Sequence, residues 1–400
     1  MTDVAALKAA LRRRQRRVQL RGLRNAPRPE RPPDAPITVL GLFSTTSGLG
    51  EAARLLAGGL EDVGRTVARI DVTGDLDPSR ARPFASDTDP GVGPVIVHLN
   101  PIEAAEVMAR RRGLFGPDRE RIGVWLYERD RVPAAWTRYA ALFHQIWSPG
   151  ERAAQALRAA GLDVHHVPYR HAARGERAKA TPRGANFRVL VMADYHSSLA
   201  RKDVCGAVAA FQSAFADATD AELILKLSHL PDGHSLREVV DADTRIGLLE
   251  DELGRDDTQA LIGNADCLLS LHRCEGYGLG LVDALMQGTP VVMSDEASTA
   301  ALHVAGASFT VGGRLVPVRD AQGIYAGGAW FEADRDAAAL ALRARHAEWQ
   351  SGRAQGERAA RRKRAETRFA DPSRLDALRA ALGGEARARR STERQTTRTA

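Results

Sequence analysis

Residues Cys267–Asp295 read CLLSLHRCEGYGLGLVDALMQGTPVVMSD, and this stretch decides the fold. The run Cys267–Leu271 predicts a buried strand. His272–Gly278 is a polar turn broken by Gly276 and Gly278. Leu279, Val282, Leu285 and Met286 then recur at helical spacing, and Gly288 and Pro290 stop that helix. Val291–Met293 is the next buried strand. The result is one strand–helix–strand unit with an acidic, glycine-bearing corner at the carboxyl end of a strand. Open α/β sheets bind their ligands at such corners.

The residue types at the corner define its chemistry. Gly276 and Gly278 let the backbone approach a ligand and take positive φ. The amides at the helix start carry partial positive charge and favour a phosphate or a developing anion. Glu275 precedes them and is placed to accept hydrogen bonds from sugar hydroxyls. Asp283, eight positions later, has a carboxylate suited to a vicinal diol such as ribose. The plainer alternative is a solvated loop with acidic residues at a helix start, where they are electrostatically favoured.

The stretch resembles the donor-site signature of retaining GT-B glycosyltransferases of family 4, the group 1 glycosyltransferases. Their pattern is Glu-Gly-Phe/Tyr-Gly-Leu, then Glu-Ala-Met/Leu, then Gly-x-Pro-Val-Val. This chain supplies Glu275, Gly276, Tyr277, Gly278 and Leu279, then Asp283, Ala284 and Leu285, then Gly288, Thr289, Pro290, Val291 and Val292. Asp283 stands where the family has Glu. Ser197–Asp203 is similar to the family's Ser-x-x-x-Arg-Lys-Asn/Asp loop, and Lys202 matches the lysine that binds the donor diphosphate. Some members carry an earlier Arg in this loop; position 196 is His here. Val311–Val318 and Gly327–Trp330 are similar to the family's valine-proline-valine and glycine-tryptophan elements.

The resemblance implies an α/β chain of the GT-B type, with two Rossmann-like doubly wound domains facing a central cleft. It implies transfer of a sugar from a nucleotide-diphosphate sugar to a glycan, lipid or small-molecule acceptor, with retention at the anomeric carbon. Glu275 and Lys202 are then the catalytic candidates. Arg201, Gly276, Tyr277, Gly278, Leu279 and Asp283 are the donor-binding ones, joined by Gly48 and Gly50 in the first loop. No metal and no cofactor beyond the co-substrate are implied. Two other readings stay open, a GT-B nucleotide-sugar epimerase and a degenerate sugar-nucleotide-binding protein.

Length and charge constrain the rest. Four hundred residues are enough for two domains, and 44% hydrophobic content is globular. No apolar run reaches membrane-spanning length, and the charged N-terminus has no apolar core like that of a secretory signal. Cys205, Cys267 and Cys274 are too few and scattered for a disulfide frame. A cytoplasmic location is expected. The net charge is +7, but residues 1–35 hold ten basic and three acidic residues, and residues 385–400 hold five and two. The body between them is therefore at −3, which argues against nucleic acid as the partner. Residues 1–24 read as a basic segment, either a solvated tail or a peripheral contact with the inner face of an anionic membrane.

Taken in order, residues 1–36 form a basic, proline-rich tail and linker. Residues 37–172 form the N-terminal Rossmann-like domain on the acceptor side. Strand 37–43 is followed by the loop STTSGLG (44–50), a helix near Glu51–Val63 and a strand over 66–72. Gly48 and Gly50 do not complete a G-x-G-x-x-G fingerprint, so the loop is a weak phosphate signal on spacing alone. Further strands are expected at 95–99, 121–127, 145–147 and 164–167. Glu128, in the segment Gly123–Trp136, and His98, at a strand end, are the acceptor-side candidates. A lone His in that place is more often structural. Residues 173–186 are the interdomain linker, and 187–350 the donor domain. Residues 351–384 are helices crossing back toward the first domain, and 385–400 a basic tail.

Overall fold

A computed structural model describes residues 18–30, 32, 34–172 and 185–383. Most of the basic segment at 1–24, most of the linker 173–186 and the tail 385–400 lie outside the described residues. The chain divides into two compact units. One runs through Arg170 and resumes at Pro372; the other is His171–Asp371.

In the first unit, β1 (Ile37–Gly41), β2 (Val67–Asp71), β3 (Val95–Val97), β4 (Arg121–Val124), β5 (Gln145–Ser148) and β6 (Val164–His166) form one parallel sheet, in the order β2-β1-β3-β4-β5-β6. Strands β1, β3, β4 and β5 are buried along their whole length. That is why they show no alternation of polar and apolar residues. Helix α1 (Gly48–Asp62) packs on the sheet through Ala52, Ala53, Leu56 and Leu60. It starts three residues before its apolar spacing does, because the Ser47 hydroxyl accepts the Gly50 amide and caps it. Between β4 and β5 the chain forms a four-residue turn of helix, Ala134–Thr137, and a 3-10 turn, Ala140–Leu142. The last described helix, Arg374–Ala381, belongs to this unit and sets Leu375 and Leu378 against Gly59 of α1.

Gly50 is fixed by space. A β-carbon there would lie 2.6 Å from the Leu42 carbonyl and 2.6 Å from the Thr45 hydroxyl. Gly50→Ala is expected to cost about 1–2 kcal/mol in urea unfolding, overpacking of roughly 1–3 kcal/mol being offset in part by alanine's better helix propensity. Unchanged stability would show that the loop can give way.

The second unit repeats the architecture. Its strands are β7 (Phe187–Asp194), β8 (Ala221–Ser228), β9 (Ile246–Leu249), β10 (Cys267–Ser270), β11 (Val291–Ser294) and β12 (Ser308–Val311), in the parallel order β12-β11-β10-β7-β8-β9. Strand β7 therefore lies in the middle, and the loops after β7, β8, β9 and β10 leave one edge side by side. Two further strands, β13 (Gly313–Pro317) and β14 (Ala329–Ala333), make an antiparallel hairpin. The core draws Phe187, Leu223, Leu225 and Leu269 from the strands and Phe211 and Phe215 from the helical segment packed on them. After the turn at Tyr195–Ser197, two helices, α2 (Leu199–Lys202) and α3 (Val204–Ala214), meet at Asp203, which is left-handed at φ 46°. Among the described residues, no helix is long and apolar enough to cross a membrane.

Candidate functional site

The loops after β7 and β10 converge at the carboxyl edge of the second sheet. Tyr195–Ser197 makes a 3-10 turn, the Ser198 hydroxyl caps α2, and α2 carries Arg201 and Lys202 in its only turn. The backbone of Arg273 donates to the Arg201 carbonyl at 2.8 Å, which ties the two loops together. Arg273 itself reaches Asp203 at 3.0 Å and Glu332 of β14 at 3.2 Å, and lies 5.3 Å over the Trp330 ring. The left-handed conformation of Asp203 is thus held by a partner seventy positions away.

At the centre is the Glu275 carboxylate. Lys202 Nζ lies 2.6 Å from its Oε2, His272 Nδ1 at 2.8 Å and Arg201 Nη1 at 3.5 Å. Its Oε1 accepts the Gly276 amide at 3.1 Å. Arg201 is 4% exposed; Nη1 also donates to the Cys274 carbonyl and Nε to the Ser197 carbonyl. Burial pushes the Glu275 carboxyl up, but the Lys202 and Arg201 charges and the His272 bond outweigh it and hold it well below the usual range. Burial, then the Lys202 charge, push His272 down to about 4. His272 is therefore neutral near pH 7, and the carboxylate fixes its proton on Nδ1.

Gly278 caps helix α5 (Leu279–Met286) with φ 88°, and a β-carbon there would meet Leu302 at 2.6 Å. Only glycine is comfortable there. The first-turn amides of α5 consequently open at the same corner as Glu275. Tyr277 turns inward; its hydroxyl is 3.1 Å from His171 Nε2 and its ring stacks on that imidazole. Leu279 opens the helix.

Asp283 lies one turn along α5 and is 6% exposed. Arg255, at the start of α4 (Arg255–Asn264), grips it with two bonds, Nη1 to Oδ2 at 2.5 Å and Nη2 to Oδ1 at 2.6 Å. Neither Arg255 nor the supporting pair His272 and Arg273 was picked out from the sequence. His272 and Arg273 stand inside the quoted signature, so their position was the available signal; Arg255 gave none.

The first unit holds the remaining candidates. Gly48 and Gly50 form the first turn of α1. Glu128 is partly buried in the segment after β4. His98 is completely buried with Nε2 2.7 Å from the Tyr169 hydroxyl, and desolvation lowers it to about 4. That is the setting of a neutral, packed histidine.

No family model matches the chain, and no curated protein matches it. Solved structures do. Sucrose-phosphate synthase from Thermosynechococcus elongatus aligns with a TM-score of 0.61 at 13% identity, over 88% of this chain and 99% of its own. HepE from Anabaena, solved with UDP-glucose, aligns at 0.58 and 13% identity, over 88% and 99%. WaaG, a glycosyltransferase involved in lipopolysaccharide biosynthesis, aligns at 0.55 and 13% identity, over 86% and 99%. Other matched structures are larger, and this chain spans 54–57% of their length. What these likenesses establish is the architecture: two Rossmann-like, doubly wound parallel sheets of the GT-B type.

Proposed function

We propose that the chain is a retaining glycosyltransferase of the family 4 kind, moving a sugar from a nucleotide-diphosphate sugar to a hydroxyl acceptor. The observation that carries this reading is the cluster of Lys202, Arg201 and Glu275 beside the Gly278-capped start of α5. Two cations and a row of amides form a preorganised receptor for a diphosphate. As the anomeric carbon–oxygen bond breaks, the electron pair leaves with the diphosphate, and these groups stabilise the growing charge. The new bond to the acceptor oxygen forms on the same face, and the acceptor proton passes to the departing phosphate oxygen. Glu275 stays ionised and orients the sugar hydroxyls. No carboxylate nucleophile and no metal is assigned.

A second reading is a sugar-nucleotide-binding protein without turnover; the Arg255 grip on Asp283 ties up the carboxylate assigned to the ribose, which bears on donor binding in both readings alike. A thermal-shift panel of nucleoside diphosphates and their sugars tests donor binding directly. A ligand at about 100 times its Kd adds roughly 2.7 kcal/mol, a rise of about 5–10 °C for a unit of this size. Flat curves across UDP, GDP, ADP and their hexoses would remove both readings. A hit without product in an acceptor screen would leave the second.

A further inference from the structure

Beside the donor corner, three neighbouring strands end in a group of side chains that this mechanism does not use. Asp194 ends β7, His229 follows β8, Glu252 follows β9, and His196 sits in the turn after Asp194. Strands β7, β8 and β9 are adjacent and parallel, so all four residues crowd one edge of the sheet. One ring nitrogen from each histidine and a carboxylate oxygen of Asp194 lie within 4.8 Å of one another.

The bonding at His229 is the telling feature. Its Nε2 is 2.9 Å from Glu252 Oε1 and its Nδ1 is 3.1 Å from Asp194 Oδ1. A neutral imidazole has one N–H and one lone pair. If the proton sits on Nε2, facing Glu252, the Nδ1 lone pair faces the Asp194 oxygen, two acceptors in contact. A second proton or a cation between them removes that conflict. His196 Nδ1 lies 3.8 Å from the same Asp194 oxygen, and its ring is 4.3 Å from that of His229. Ligands about 2.0–2.2 Å from zinc in a tetrahedron are about 3.3–3.6 Å apart, so the His229–Asp194 edge of 3.1 Å is a few tenths of an ångström short of that spacing. The His196 side chain is 55% exposed and needs only a small swing. His229 also holds φ 60°, an uncommon conformation for a non-glycine residue.

We propose that Asp194, His196 and His229 form a binding site for a borderline divalent cation of the zinc class, with Glu252 orienting His229 through its far nitrogen. Two imidazoles and one carboxylate are the donor set such ions prefer, and magnesium or calcium would favour oxygens. A carboxylate on the second ring nitrogen is the usual support of a metal-bound histidine. The cation takes no part in sugar transfer. It clamps the Tyr195–Ser197 turn to the end of β8, and α2 with its two cations begins two residues further on. The site stands whether or not the donor reading does.

The test uses the untagged full chain after chelator treatment, with cobalt(II) as the spectroscopic probe and zinc(II) as competitor. One equivalent of cobalt is expected to give a tetrahedral visible spectrum that zinc abolishes, and zinc is expected to raise Tm. His196→Gln, on an exposed side chain that the fold does not need, and His229→Gln should each weaken zinc at least tenfold. Glu252→Gln should weaken it about tenfold, as loss of an orienting carboxylate does. Absence of saturable binding overturns the proposal. So does stoichiometric binding that His196→Gln and His229→Gln leave unchanged, since the ion would then lie elsewhere.

Discussion

Lys202→Ala is expected to lower turnover by about 10²–10³-fold while the protein remains folded, the loss typical of one preorganised donor to a developing anion. The Lys202 side chain is 14% exposed, and its ammonium lies 2.6 Å from Glu275. It sits at the end of a one-turn helix, so its removal opens no core cavity. Arg201 and His272 remain on the same carboxylate, so the corner keeps its shape. The loss should fall mainly on kcat. The ammonium gains most as charge builds on the leaving diphosphate, and an interaction that strengthens only in the transition state appears in kcat and in kcat/KM together. Lys202→Arg should recover only part of the rate, because a planar fork does not replace a compact point charge. Steady-state and single-turnover measurements with the donor found by thermal shift decide the matter. A Lys202→Ala enzyme within a few-fold of the parent would take the diphosphate role away from this residue.

The parts of this site that could be read in the sequence are those set by backbone rules. Cys267–Ser270 and Val291–Ser294 are strands buried on both faces, so their apolar runs are unbroken. Gly278 is demanded by a positive φ at a helix start, and a local glycine pattern carries that demand. The pairing of Lys202 with Glu275 followed from two motifs matched separately; their closeness, 73 positions apart in the chain, is a product of the parallel strand order. What the sequence hid were side-chain bonds between elements. Nothing near Asp203 marks a break between two helices, because the left-handed turn is secured by Arg273 from another loop. Arg255 and Asp283 meet through the packing of two helices, and His229 meets Glu252 through two adjacent strand ends. Periodicity reports which face of an element is buried, and is silent on which polar groups then face each other.

Glu275→Gln is expected to destabilise the second unit by about 3 kcal/mol at pH 7, the low end of the 3–5 kcal/mol typical of removing one partner from a buried ion pair. The amide keeps the shape and one hydrogen-bonding oxygen, but Arg201 and Lys202 lose the charged carboxylate they share. Lys202 can turn partly toward water; Arg201, pinned by the Cys274 and Ser197 carbonyls, cannot. The pH dependence separates this charge effect from a packing defect. The folded-state pKa of Glu275 is depressed, so its contribution is complete above the unfolded value of about 4.3 and is lost as pH falls toward the folded one. His98 and His272, both lowered to about 4, cost stability in acid as well, from pH 6.5 downward, because the unfolded chain takes up their protons first. The His98 slope is a background shared with the variant, whereas His272 loses the carboxylate that raises it, which adds to the gap only near and below pH 4, so the quantity to follow is the difference between the two proteins. Urea unfolding at pH 7, 5 and 3.5 should show a gap that is full at 7, nearly full at 5 and smaller at 3.5. A gap independent of pH would mean that the carboxylate's shape, and not its charge, holds the two loops together.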